Sequence, residues 1–356
     1  MDRPRHGGNL VWAASVAGCP ASSLTDFSAS INPLGPPCSA IAAISNSLGE
    51  LTAYPDPEYY QLRSLLAEHH QIEPDYILPG NGAAELLTWA GRELAQLQET
   101  YLITPAFGDY KRALAAFNSK ITSCSLPLPV SPSPHLLSQS PPPKTGLLLN
   151  NPHNPTGKLW TRDEILPYLE QFALIVVDEA FMDFLLPTEE QSLIPFLKDF
   201  PNLVILRSLT KFYSLPGLRI GYAIAHPERL KRWQKWRDPW SVNTLAVAAT
   251  TAAIQDKEFQ QQTWNWLSPT RSQFFQGLSQ IPGLQPLPGA ANFLLVKSEM
   301  SVTKIQTELL KNHRLLIRDC LSFPELGDLY FRVAVRSAQD NTRLIEAIAA
   351  IVKNSN

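Results

Sequence analysis

Between residues 72 and 225 the sequence alternates short apolar runs with helical segments, and this alternation constrains the fold more than any other feature. The apolar runs have the length of strands buried on both faces, and the segments between them can cross over a sheet. We therefore predict an α/β fold with a mostly parallel sheet of seven strands covered by helices on both faces. The predicted strands are Tyr76–Leu78, Tyr101–Ile103, Lys120–Leu126, Leu147–Leu149, Ala173–Val177, Leu203–Leu206 and Ile220–Ala225.

The length of 356 residues allows more than one domain, and the composition changes after Trp240. We predict an N-terminal arm and first helix over residues 1–48, which pack with a small domain. A large domain then covers residues 49–239, and a small α+β domain covers residues 240–356. In the small domain, strands are expected at Asn292–Val296, Leu315–Ile317 and Tyr330–Val335.

Charge and hydropathy exclude several function classes. The net charge of -2 and the absence of a Lys- and Arg-rich run give no electrostatic basis for nucleic-acid binding. No apolar window approaches the ~18 residues of a membrane span, and the N-terminus lacks the apolar core of a signal peptide. The cysteines lack metal-ligand spacing, so no metal is expected. We expect a cytoplasmic protein, with the proline-rich residues 126–143 as an exposed loop.

The stretch from Ser208 to Tyr222 follows a predicted strand and contains a lysine, hydroxyl groups and an arginine. Lys211, among apolar and hydroxyl neighbours, could form a Schiff base with a carbonyl, as lysine does with pyridoxal phosphate (PLP). Ser208, Thr210 and Arg219 could bind a phosphate. Taken alone, a surface loop with a solvated lysine is the alternative interpretation.

Two further strand ends carry weaker signals. Gly80–Gly82 precedes a predicted helix at Ala83, where free N–H groups and the helix dipole favour a bound phosphate. An ordinary strand-to-helix turn would have the same glycines. Phe107 follows the next strand and could stack on a flat heteroaromatic ring, or it could be a core aromatic residue.

Two polar residues complete the series. Asn154 lies in Asn150–Gly157, where two Asn-Pro pairs and a glycine favour a sharply turned loop. Its amide could donate a hydrogen bond to a phenolate oxygen, although a surface turn is possible. Asp178 ends a strand of apolar residues and needs a partner there. A protonated pyridine nitrogen would be such a partner, and a structural salt bridge would be another.

In this order along the chain, these residues offer a partner for each group of PLP. Over essentially its whole length the sequence resembles the fold-type I PLP enzymes, the aspartate-aminotransferase-like superfamily. The resemblance implies pyridoxal 5'-phosphate as cofactor, a homodimer, and catalytic roles for Lys211, which carries the cofactor, and Asp178, which pairs with its ring nitrogen. The other cofactor contacts that it implies are Tyr54 from the neighbouring subunit, Gly82, Ala83, Ala84, Phe107, Asn154, Ser208, Thr210 and Arg219.

Within the superfamily the chain is similar to the threonine-phosphate decarboxylases of cobalamin synthesis and to the histidinol-phosphate aminotransferases. The arm segments His6–Asn9 and Asp26–Pro37 resemble the decarboxylases, and Phe181 stands where the aminotransferases usually have Tyr. The resemblance implies decarboxylation of L-threonine O-3-phosphate to (R)-1-aminopropan-2-yl phosphate, with histidinol-phosphate transamination as the alternative. The substrate contacts that it implies are His6, Gly7, Gly8, Asn32, Asn154, Arg318, Arg332 and Arg336.

The same side chains can serve both reactions, because the bond held perpendicular to the cofactor ring is the one that breaks. A perpendicular carboxylate leaves as CO2, whereas a perpendicular C–H bond gives its proton to Lys211 and leads to transamination. A protein that keeps the fold without catalysis is a third hypothesis, against which the joint presence of Lys211 and Asp178 argues. His153 stands where relatives usually have another residue, and we expect little effect from it.

Overall fold

The computed structural model of the protein describes residues 3–126 and 141–354. The exposed loop predicted for residues 126–143 lies mostly outside the described residues. The helices are α1 (Leu10–Ala17), α2 (Cys38–Asn46), α3 (Tyr60–His70), α4 (Ala83–Leu94), α5 (Gly108–Ala115), α6 (Arg162–Leu169), α7 (Leu209–Phe212), α8 (Pro227–Gln234), α9 (Thr244–Gln255), α10 (Lys257–Ser279), α11 (Val302–Glu308) and α12 (Ala338–Lys353). None of the helices in these two ranges is long and apolar enough to cross a bilayer.

The strands fall into one large sheet, one small sheet and one isolated pair. They are β1 (Thr25–Asp26), β2 (Ile77–Asn81), β3 (Thr100–Thr104), β4 (Ile121–Ser125), β5 (Gly146–Asn150), β6 (Leu174–Asp178), β7 (Leu203–Ser208), β8 (Ile220–Ala225), β9 (Leu284–Pro286), β10 (Phe293–Ser298), β11 (Leu315–Leu316), β12 (Arg318–Asp319) and β13 (Tyr330–Ala334).

The large sheet has seven strands in the order β2-β8-β7-β6-β5-β3-β4. Strand β8 runs antiparallel to both its neighbours, β2 and β7, and the other pairs are parallel. The prediction of a mostly parallel seven-stranded sheet is therefore confirmed. The strand ends differ from the predicted ones by at most three residues, the largest difference being at the end of β2, because apolar runs mark the buried centre of a strand better than its polar ends.

Helices cover both faces of this sheet, so each strand contributes to two cores. In β6, Ile175 and Val177 belong to the core on one face, whereas Leu174 and Val176 belong to the core on the other. Side chains alternate between the faces of a strand, and apolar residues at consecutive positions are what a doubly covered sheet requires. The covered sheet leaves its strand ends as the place where polar side chains can gather.

The small sheet is antiparallel, in the order β12-β13-β10-β9. Within the predicted strand Leu315–Ile317 only Leu315–Leu316 forms a strand, β11, which pairs in parallel with β1 of the arm. Strand β12 follows at Arg318–Asp319 and joins the small sheet. Strands β1, β9 and β12 were not predicted, because strands of two or three residues are too short to show an alternation of apolar and polar residues. The pairing of β1 with β11 attaches residues 25–26 to residues 315–316. The division into three domains stays a prediction.

Candidate active site

A cavity of about 200 Å³ lies at the carboxyl ends of the central strands. Loops that follow β3, β5, β6 and β7 contribute to its wall, together with the N-terminal arm and residues around β12 and β13. This is where open parallel sheets bind ligands. The predicted site residues that line the cavity are His6, Gly7, Phe107, Asn154, Asp178, Lys211, Arg318 and Arg332.

Lys211 lies in the single turn of α7, which follows β7 directly. Among the described residues no acceptor lies within hydrogen-bond distance of its Nζ. Burial lowers the pKa of Lys211 to about 8, the charges of Arg332 and Arg219 act in the same direction, and Asp178 opposes them. A lysine with a lowered pKa and an unbound amine in a cavity is suited to attack a carbonyl, so the solvated-loop interpretation is wrong.

Asp178 ends β6, and both of its carboxylate oxygens accept hydrogen bonds from neutral donors. The hydroxyl of Tyr110 donates to Oδ2 over 2.7 Å, and the backbone N–H of Ala180 donates to Oδ1 over 3.0 Å. Burial raises the pKa of Asp178, while these two bonds and the charge of Lys211 act against the rise. Asp178 has no salt bridge with any described residue, so its charge is available to a ligand.

Asn154 is oriented by Arg332, whose Nη1 donates to Oδ1 over 2.5 Å. A guanidinium can only donate, so the oxygen of the amide must face Arg332 and the nitrogen must face the other way. Nδ2 has no protein acceptor among the residues that the structure describes. Asn154 lines the cavity, and its free donor can therefore reach a ligand oxygen there.

Helix α4 begins after Gly82, which provides no side-chain cap. Gly82 has a φ of +77°, and a Cβ at this position would lie 2.6 Å from Nη2 of Arg219, so the glycine lets the guanidinium approach the start of the helix. On either side of Leu209, Ser208 Oγ and Thr210 Oγ1 are 2.8 Å apart. The backbone amides of Ala83 and Ala84, with Arg219, form a site suited to phosphate.

Phe107 immediately precedes α5 and lines the cavity with His6 of the arm. The two ring centroids are 5.5 Å apart with the planes at 60°. Burial lowers the pKa of His6, and the positive charge of Arg318 lowers it further. His6 therefore acts as a neutral hydrogen-bonding group at neutral pH unless an anion binds beside it.

Arg332 and Arg318 bring two buried guanidinium groups to the cavity. Burial, helped by Arg318, lowers the pKa of Arg332 to about 10, and its Nη2 donates to the carbonyl of Ser28 over 3.1 Å. Arg318 donates to the carbonyl of Arg5 and to Ser322 Oγ. Among the described residues that line the cavity there are several cations and one carboxylate, that of Asp178, so the cavity is suited to an anionic ligand.

Ten predicted substrate or cofactor contacts are not among the residues of the cavity wall. Six of them, described above, are Gly82, Ala83, Ala84, Ser208, Thr210 and Arg219, and the remaining four lie elsewhere. Arg336 pairs with Asp340 at 3.1 Å, and Asn32 donates both amide hydrogens to protein acceptors, Phe212 O and Thr263 Oγ1. The side chain of Asn32 is thereby committed to joining the arm to the segment that carries Lys211. The others are Gly8, which donates to Ser28 Oγ, and Tyr54, whose ring is 80 % exposed.

The cavity is also bordered by residues that were not predicted as site residues, among them Tyr110, Ser28 and Arg5. Tyr110 stands three residues after Phe107, a spacing that puts both on one side of a helical turn and could have revealed it. The missed residues of the arm have no such signal, because their position depends on the pairing of β1 with β11. His153, from which little effect was expected, is buried outside the cavity wall with Nδ1 2.7 Å from Thr156 Oγ1.

Comparison with known proteins gives a consistent group of relatives. The family model described as aminotransferase class I and II matches residues 22–348. The chain is 40% identical to the threonine-phosphate decarboxylase of Salmonella typhimurium, over 98% of this chain and 96% of that protein. It is 30% identical to the adenosylcobalamin biosynthesis bifunctional protein of Leptospira interrogans, over 99% of this chain and 41% of that protein. The crystal structure of the histidinol-phosphate aminotransferase from Clostridium acetobutylicum superimposes with a TM-score of 0.86 at 26% identity, covering 92% of this chain and 99% of that one.

Proposed function

Because the chain belongs to the aminotransferase class I and II family, we propose that it binds pyridoxal 5'-phosphate and decarboxylates L-threonine O-3-phosphate in cobalamin biosynthesis. The product would be (R)-1-aminopropan-2-yl phosphate. The observation that carries the proposal is the near full-length similarity to the Salmonella decarboxylase. The cavity supports it independently, because its residues match both the cofactor and a doubly anionic substrate.

The residues present fit the cofactor group by group. Lys211 offers the aldehyde an amine that is not hydrogen-bonded and has a lowered pKa. Asp178 has no salt bridge with any described residue, so its carboxylate can pair with the ring nitrogen. The free Nδ2 of Asn154 suits the phenolate oxygen, and Phe107 suits the ring face. The start of α4, with Arg219 beside Gly82, suits the phosphate.

The chemistry that PLP supplies when bound is electron withdrawal from the α-carbon of the substrate. The chain's own residues orient the substrate and move the proton. In the decarboxylation one C–C bond breaks, CO2 leaves, and a C–H bond forms at the α-carbon. Lys211 lines the cavity, so its ammonium group can deliver that proton.

The cations of the cavity suit the two anionic groups of threonine phosphate. We assign the carboxylate to Arg332, which is held next to the cofactor residue Asn154. We assign the phosphate to Arg318 and His6, which lie where the arm meets the cavity. Gly7 lets the arm next to His6 pack closely against Ser28, because a Cβ on Gly7 would lie only 2.2 Å from the carbonyl oxygen of Ser28.

Histidinol-phosphate transamination is the second candidate, and the close superposition on the Clostridium aminotransferase favours it. That substrate has a phosphate but no carboxylate. Phe181 lines the cavity without a hydroxyl group, which is a departure from the usual aminotransferase tyrosine and favours decarboxylation.

We further propose a homodimer in which Tyr54 reaches the cofactor phosphate of the neighbouring subunit. Tyr54 is 80 % exposed and its ring centroid lies 4.5 Å from that of Trp240, which is itself exposed. Leu48, Leu51 and Tyr60 are further exposed apolar residues of this region. A second copy of the chain would cover this surface, which supports the dimer.

Parallel assays of the purified protein with PLP distinguish the two reactions. We expect CO2 from L-threonine O-3-phosphate without any 2-oxo acid, and no glutamate from histidinol phosphate plus 2-oxoglutarate. Glutamate formation that strictly depends on 2-oxoglutarate would establish the aminotransferase instead. A protein that develops no visible absorbance band after addition of PLP would have neither activity.

A further inference from the structure

Tyr110 makes a contact that cofactor binding alone does not explain. Its side chain is buried, and its hydroxyl donates to Oδ2 of Asp178 over 2.7 Å. It lies in the first turn of α5, three residues after Phe107, and the two ring centroids are 5.6 Å apart in an edge-to-face arrangement. The same short segment therefore presents a ring to the cavity and a hydroxyl to the carboxylate.

We propose that Tyr110 is a positioning residue for the cofactor, which acts by holding Asp178 as an ionised carboxylate in one orientation. This inference rests on the proposed binding of PLP. An ionised carboxylate accepts on both oxygens, whereas a protonated one must donate from one of them. Oδ1 and Oδ2 each face a separate neutral donor, Ala180 N–H and Tyr110 O–H, and this pattern favours the ionised form.

The Tyr110 hydroxyl suits this positioning role because it is a neutral donor. A lysine or arginine at position 110 would also keep Asp178 ionised, but it would neutralise the charge that the ring nitrogen needs. Burial and the neighbouring Asp178 raise the pKa of Tyr110 well above its usual value, so the phenol keeps its proton. The other charged groups that face Asp178 are Lys211, which favours its charge, and Asp109, which opposes it.

The test compares Tyr110→Phe with Tyr222→Phe. Tyr222 is a matched control, because it is also buried, its hydroxyl lies 2.8 Å from Nε2 of His70, and it is not among the described residues that line the cavity. The affinity for PLP is measured by equilibrium titration of the cofactor-stripped full-length protein. We expect Tyr110→Phe to weaken PLP binding by about 10- to 100-fold, the usual effect of a hydrogen bond to a charged group. We expect Tyr222→Phe to change it less than about twofold.

A double-mutant cycle with Asp178→Asn separates positioning from general destabilisation. An amide at position 178 has no charge to maintain. In the Asp178→Asn background, Tyr110→Phe should therefore weaken PLP binding by less than about a further threefold. Tyr110→Met also lacks a hydroxyl and carries the same expectation if the phenylalanine variant does not fold. The proposal would be overturned if Tyr110→Phe bound PLP with wild-type affinity. It would also be overturned if Tyr110→Phe weakened PLP binding equally in the wild-type and Asp178→Asn backgrounds. Failure of the wild-type protein to bind PLP would instead overturn the proposed function.

Discussion

The amine of Lys211 differs from those of exposed lysines in its surroundings. Burial and two guanidinium groups lower its pKa from 10.5 to about 8. The unfolded chain therefore binds more protons than the folded chain between these two values, and the contribution of Lys211 to stability rises with pH across that window. At neutral pH the charged lysine destabilises the fold in the absence of cofactor.

Replacement of this lysine should consequently stabilise the cofactor-free protein. We expect Lys211→Met to raise the free energy of unfolding at pH 7, and the gain to be smaller by about 1 kcal/mol at pH 9. Urea denaturation at the two pH values measures it. Lys235→Met, which removes an exposed lysine instead, is the control for the loss of a lysine side chain. If the gain in the free energy of unfolding grew with pH instead, burial of the charged Lys211 would not be what destabilises the fold.

The two arginines of the segment around β13 should behave differently. Arg332 lines the cavity, whereas Arg336 is paired with Asp340 outside it. We expect Arg332→Lys to raise KM for threonine phosphate by about 10- to 100-fold through loss of a two-pronged contact. Arg336→Lys should change KM by less than about threefold. Steady-state kinetics test this prediction. Equal increases in KM for the two variants would mean that Arg336 also contacts the substrate.

Among individual residues, sequence motifs predicted the position in the site of those that closely follow strands. Lys211, Asp178, Asn154 and Phe107 each come within a few residues of a strand end, so the sheet brings them together. Asn32 and Arg336 could not be judged from sequence, because the hydrogen bonds that fix them depend on the folded chain.

Among the elements, the start of α4 carries the phosphate site, and Gly82 tests it. Gly82→Ala would place a Cβ against Arg219, in addition to the strain of a φ of +77°. Gly35 is a matched control, since its φ is +79° but a Cβ there would meet no atom within 4 Å beyond its chain neighbours. Both substitutions should cost about 1 kcal/mol of stability or more.

Only the substitution next to the arginine should affect the cofactor. We expect Gly82→Ala to weaken PLP binding by about tenfold or more, whereas Gly35→Ala leaves it within about twofold. Titration of both stripped variants with PLP, alongside thermal melting, measures this. Equal PLP affinity in the two variants would show that the start of α4 does not hold the phosphate.

Elements were predictable where hydrophobic patterning extends over several residues. All seven strands of the large sheet were expected, and so was α4. The short strands β1, β9 and β12 were not, because they exist through their pairing with distant partners rather than through their own composition. The arm depends on one of these pairings, which is why its contribution to the cavity was only partly foreseen.

At the scale of the whole molecule, the proposed dimer makes each site depend on both subunits. We expect Lys211→Ala and Tyr54→Ala to be nearly inactive when each is purified alone. After the two variants are mixed and allowed to exchange subunits, a mixed dimer would contain one site with both native residues. Activity should then rise well above that of either variant.

The same mixture tests the alternative arrangement. If Tyr54 served the site of its own subunit, each of the two sites in the mixed dimer would carry one of the two substitutions. Neither site would then contain both native residues. Activity would then not recover. Sedimentation of each variant should give a dimer, which serves as the control for assembly. A monomer of full activity would contradict the shared site.

In the proposed function, Lys211 and its neighbours direct the loss of CO2 from threonine phosphate. The most direct measurement is the amount of CO2 released per subunit by the purified protein with PLP, without any 2-oxo acid. We predict many turnovers for the wild-type protein and none for a correctly folded Lys211→Ala variant. No CO2 from the wild-type protein, or undiminished release by Lys211→Ala, would contradict the account.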